Sequence, residues 1–132
     1  MPYVFKESES MLGYIPIAPA TSNLYGPSQY SLITVPTLFI YGSKDKNLGK
    51  RGSQSFSYVP NIQIYEIENG SHSCYIDYPD VFNNKVKEFI LAQTESCRLK
   101  QEQLNSQQDV SLGKTNDIDG QNVMNAQNQT LT

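Results

Sequence analysis

The chain has 132 residues, a formal net charge of −3, one histidine and two cysteines. An acidic balance offers no basic surface to a phosphate backbone or to anionic lipid, so no nucleic-acid partner is expected. One histidine and two cysteines without paired spacing exclude a multi-histidine metal centre and argue against a disulfide framework, so no metal is expected.

Residues Met1 to Ser10 lack the apolar core of a signal peptide and bring in glutamates at once. No stretch reaches the roughly 18 to 20 apolar residues that cross a bilayer, so no membrane association is expected. Sparse, unpaired cysteines suit a reducing, cytoplasmic setting.

Three short apolar runs follow. Tyr14-Ile15-Pro16-Ile17-Ala18 reads as a strand whose internal Pro16 pushes it to an edge or a bulge. Val35-Pro36-Thr37-Leu38-Phe39-Ile40-Tyr41 is a continuous β-branched and aromatic run ending at Gly42, the pattern of a strand covered on both faces. Ile62-Gln63-Ile64-Tyr65-Glu66-Ile67 alternates apolar and polar, as a half-exposed strand does. The link between the last two is too long for a hairpin and suits a parallel crossover, with a short helix over Leu48 to Tyr58.

A stronger helix starts at Pro79, with Asp80 in its first turn and Asp77 or Tyr78 as its cap. Val81, Phe82, Val86, Phe89 and Ile90 mark its apolar face; Asn83, Asn84, Lys87 and Glu88 mark the other. Beyond Cys97 the composition changes to Gln, Asn, Ser and Asp without an aromatic residue. Such a segment buries too little apolar surface to offset a backbone ordering cost of roughly 1–2 kcal/mol per residue. Residues 98–132 are therefore expected to be a disordered Asn/Gln-rich tail, with Arg98 to Leu104 adding a helical turn or two. The expected fold of residues 1–97 is α/β: three strands of an open, mostly parallel sheet with flanking helices.

Two chemically capable residues stand at equivalent places. Asp45 lies just beyond the carboxyl end of the second run, and His72 just beyond that of the third. Parallel neighbouring strands about 4.8 Å apart bring those ends into one crevice, where open α/β sheets place their sites. An imidazole that takes a proton from a serine hydroxyl needs an anion on its other nitrogen to fix the tautomer. An Asp followed by a His, both after the nucleophile, is the chain order of α/β-hydrolases. Gly42 and Gly70 give each loop a residue free to turn sharply. A Cys74–His72 pair is the nearest chemical competitor, but residues two apart in a loop rarely face one another correctly. A nucleotide-binding domain is disfavoured because no Gly-rich loop follows an opening strand, and no cofactor is expected.

Val35 to Asp45 resembles the last-but-one strand and acid loop of the α/β-hydrolases, and Gly70 to Pro79 resembles their histidine loop and last helix. The His72-x-Cys74-Tyr75-x-Asp77-x-Pro79 arrangement, with Gly13 to Pro19, is similar to the branch called α/β-hydrolase domain-containing protein 14. The resemblance covers roughly Pro2 to Leu91. It implies that Asp45 is the triad acid, His72 the triad base, and a small acylated substrate or acyl-lysine the target of the full-length relative. It also implies that Met1 to Ser10 fall near the end of the nucleophile helix. The Gly-x-Ser-x-Gly elbow that carries the family's nucleophile occurs nowhere in the 132 residues. The chain is thus expected to be the C-terminal portion of a serine hydrolase, inactive by itself. The competing expectation is a non-catalytic interaction protein that takes a protein partner at the open sheet edge along Tyr14 to Ala18.

Overall fold

Thr37–Gly42 forms β1, and all six of its residues are buried. Its side chains alternate between two apolar clusters, as a pleated strand requires. Phe39 and Tyr41 join Tyr30, Ile33, Val35, Phe56 and Val59 on one side. Leu38 and Ile40 join Ile67, Cys74 and Phe89 on the other. The continuous apolar run of the sequence is what burial on both faces demands. The computed structural model describes residues 10–20 and 24–126, with the backbone alone over 109–126.

A single turn, α1 (Pro27–Tyr30), begins with proline at its first position and leads into β1. After β1 comes α2 (Gly49–Phe56), within the stretch expected to be helical. Its glycines are explained by proximity: a Cβ on Gly52 would lie 2.7 Å from the Phe39 ring, and one on Gly49 would lie 2.8 Å from the Tyr41 ring. Helix propensity is given up so that the backbone can lie close against β1. The crossover ends in β2 (Ile62–Ile67), which pairs with β1 in parallel from Thr37↔Ile62 to Gly42↔Ile67. Most of β2 is exposed or half-buried, whereas Ile67 is buried. Two helices follow, α3 (Cys74–Asp77) and α4 (Pro79–Ala126).

Among the described residues the sheet has two strands, and the expected third is not formed. Tyr14 to Ala18 runs beside β1 and packs Tyr14 and Ile15 against its two clusters, but pairs with it through isolated parallel bridges, Tyr14↔Thr37 and Ile17↔Ile40. Tyr14 N–H donates to Pro36 O at 2.9 Å, and Leu38 N–H donates to Tyr14 O at 2.9 Å. Pro16 has no N–H to continue the ladder, and Ala18 turns to φ 36°.

On α4, Phe82, Val86 and Phe89 pack against the cluster around Leu38. Val81 and Ile90, expected on the same face, are exposed because they fall at the margins of that stripe. Tyr78 caps the helix through its carbonyl, which accepts from Phe82 N–H at 3.0 Å. The chain divides into two compact units at Thr94 and Glu95. In the second unit the backbone stays helical to Ala126, well past the turn or two anticipated beyond Cys97. Arg98 helps hold that stretch by pairing with Glu95 and Glu102 at three- and four-residue spacing. The expected placement of residues 1–9, and the end of the tail over 127–132, lie outside the described residues. Among the described residues no helix is long and apolar enough to cross a membrane.

Candidate active site

The in-register pairing ends both strands at one level, Gly42 opposite Ile67, and each loop leaves the sheet from there. The loops are then stitched together. Ser43 N–H donates to Ile67 O and Lys44 N–H to Gly70 O, both at 2.9 Å, and Asn69 N–H donates to Ser43 Oγ at 2.8 Å. This close approach leaves no room at Gly42, where a Cβ would stand 2.2 Å from Ser71 O and 2.3 Å from Gly70 O. The glycines therefore serve approach rather than a left-handed turn, since no described glycine has positive φ. The left-handed residue of the loop is Asn69, at φ 60°, a conformation that Asn tolerates better than most side chains.

Asp45 and His72, singled out from the sequence, meet here. His72 Nδ1 lies 2.7 Å from Asp45 Oδ2. The Asp45 side chain is only 7% exposed, whereas that of His72 is 58% exposed. Asp45 Oδ1 accepts from Leu48 N–H at 3.0 Å, and the Asp45 carbonyl accepts from Lys50 N–H at 2.9 Å. Burial pushes the Asp45 carboxyl upward, but hydrogen bonds from His72 and from the Leu48 and Gly49 backbone outweigh it and hold the group below the usual aspartate range. The carboxylate is thus a fixed, ionised partner for Nδ1. Among the described residues nothing engages the opposite nitrogen, Nε2. An imidazole anchored on Nδ1 and open on Nε2 has the form of a general base awaiting a proton donor.

Cys74 does not join this pair. Its side chain is fully buried with Leu38, Ile40, Ile67 and Phe89, and burial raises its thiol pKa, which opposes thiolate chemistry. Asp77, read from the sequence as a candidate helix cap, instead accepts from Ser71 N–H at 2.7 Å, one residue before His72. The available signal was its place in the His-x-Cys-Tyr-x-Asp-x-Pro pattern.

No protein-family model matches the chain. Curated relatives do. Over 90 residues, 68% of this chain, it is 33% identical to ABHD14A of Danio rerio and 28% identical to ABHD14A of Rattus norvegicus, covering 33% and 37% of those proteins. It is also 28% identical over 90 residues to ABHD14B of Rattus norvegicus, named as a proposed protein-lysine deacylase, covering 42% of it. The chain spans about a third to two fifths of the length of the curated relatives it matches.

Proposed function

The chain's homologues are the α/β-hydrolase-domain proteins ABHD14A and ABHD14B, and from that kinship we propose that it supplies the acid and base of a serine-hydrolase triad. The observation that carries this is the 2.7 Å contact between His72 Nδ1 and the buried Asp45 carboxylate. Asp45 holds the proton on Nδ1, so Nε2 presents its lone pair. When a serine Oγ attacks an acyl carbonyl, Nε2 takes the hydroxyl proton, and Asp45 stabilises the imidazolium that forms. Nε2 then returns the proton to the departing alcohol, thiol or amine. The proposal assigns the serine and the oxyanion donors to none of the 132 residues, among which no Gly-x-Ser-x-Gly occurs.

The substrate class proposed is a small ester, thioester or amide, with acyl-lysine favoured by the name of the ABHD14B relatives. The setting proposed is cytoplasmic, as free Cys74 and Cys97 suit a reducing compartment. Fluorophosphonate labelling tests the assignment. The 132-residue chain should form no serine adduct, whereas the same chain joined to the nucleophile portion of ABHD14B should form one that His72→Ala abolishes. An adduct on the chain alone, or one indifferent to His72, overturns it.

A second reading is a strand-addition module, in which an extended segment of a partner protein pairs along Tyr14 to Ala18. It is favoured by the incomplete pairing of that stretch and by exposed Ile17 within it. A stoichiometric partner whose retention is lost in Ile17→Lys supports it. Recovery of the free chain from its native source counts against it.

A further inference from the structure

We infer that Asp77 is a positioning residue for His72, acting through the backbone of Ser71; the inference rests on the Asp45–His72 acid–base reading. The His72 side chain is 58% exposed, so beyond its bond to Asp45 its direction depends on the backbone that carries it. That backbone is gripped from two sides. On the acid-loop side, Gly70 O accepts from Lys44 N–H at 2.9 Å. On the other, α3 turns immediately after the histidine, its first bond running from Ile76 N–H to Ser73 O at 2.8 Å. That turn brings the Asp77 carboxylate back to the Gly70–Ser71 peptide, where Oδ2 accepts from Ser71 N–H at 2.7 Å. Ser71 Oγ in turn accepts from Ser73 N–H at 3.2 Å, so the residues on both sides of His72 belong to one small network.

A carboxylate receiving a backbone N–H makes a stronger, more directional bond than a neutral acceptor. Hydrogen bonds from Ser71 hold the Asp77 carboxyl below its usual range, consistent with an ionised acceptor at neutral pH. The helix is therefore coupled to the imidazole by one charged hydrogen bond. Loosening it frees the Ser71 peptide to rotate and lets Nδ1 leave Asp45, while the core, which lies on the other side of α3 around Cys74, is untouched.

His72 is the chain's sole histidine, so its ring nitrogens are read without assignment ambiguity in a long-range 1H–15N correlation of the 132-residue chain. At a pH where the ring is neutral, the wild type should be mainly the Nδ1–H tautomer, and Asp45→Ala should shift it toward Nε2–H. Asp77→Ala should lower the Nδ1–H to Nε2–H ratio by about fivefold, the factor that one ordinary hydrogen bond commands. Asp77→Asn, which keeps an acceptor, should retain most of the wild-type ratio. If Asp77→Ala does not fold, Asp77→Glu is read in its place and should also lower the ratio, its longer arm displacing the acceptor. An unchanged ratio in the folded Asp77 variant, alongside a shifted one in Asp45→Ala, overturns the inference. A wild type without Nδ1–H preference overturns it by removing the Asp45–His72 reading beneath it.

Discussion

Asp45 receives bonds from the His72 ring and from the Leu48 backbone, and its ionised form is favoured in the folded state. Because its folded pKa lies below the unfolded value of about 3.9, it stabilises the fold fully above that pH. The contribution is lost as pH falls below about 3.9 and through the lower folded value. Asp45→Asn keeps the shape but lacks the charge, so it should cost about 1–2 kcal/mol at pH 7 and less at about pH 3. Urea melts of both proteins at the two pH values check this; a gap that widens in acid contradicts it. Gly42 makes a different demand. Gly42→Ala drives a methyl into the carbonyls of Gly70 and Ser71, which are backbone and cannot swing aside. We expect a loss of about 3 kcal/mol or more, with the His72 tautomer preference lost as the loops part. The importance of these glycines was legible in the sequence, but not its cause: spacing suggests a turn and cannot reveal that two loops nearly touch.

The layered core around β1 was also legible, because burial on both faces leaves an unbroken apolar run that few other arrangements produce. Phe39 sits against Phe56 and Tyr41, with ring centroids 4.9 and 5.9 Å away, and is fully buried. Phe39→Ala should cost about 3–5 kcal/mol, which rivals the whole stability of a small unit. Circular dichroism is expected to find that variant largely unfolded at about 37 °C, and a cooperative melt near the wild-type temperature contradicts the packing described. The stretch Tyr14 to Ala18 was harder to read. Its composition is that of a strand, and Pro16 was a visible warning, but whether two bridges grow into a ladder depends on partners a local pattern does not contain. The pairing of Asp77 with Ser71 was hidden for a related reason. An aspartate just before a helical proline also suits a cap, and only the turn of α3 decides where it points.

Taken whole, the chain pairs a densely packed unit ending at Thr94 with a second unit carried on a polar helix. From Glu95 to Gln108 every residue of that helix is exposed, and Arg98 forms ion pairs along it. A helix that buries no face gains little from packing and depends on such pairs and on propensity. Hydrogen exchange should therefore be fast across the second unit relative to β1, and Arg98→Ala should speed it around residues 95–102 while leaving exchange in β1 unchanged; equal protection in both units contradicts this. The first unit keeps an apolar groove of about 240 Å³, lined by Leu12, Gly13, Ile15, Phe89 and Ile90. Neither Asp45 nor His72 lines it. The meeting of that pair was the part of the site most legible in sequence, since two parallel strands of equal length deliver their following loops to one edge. The most direct test is single-turnover hydrolysis of an acyl-lysine peptide by the chain joined to the nucleophile portion of ABHD14B. The assignment predicts that Asp45→Asn and His72→Ala each slow acyl transfer by about 10³- to 10⁴-fold with the fold intact, and a joined protein whose rate is untouched by either change contradicts it.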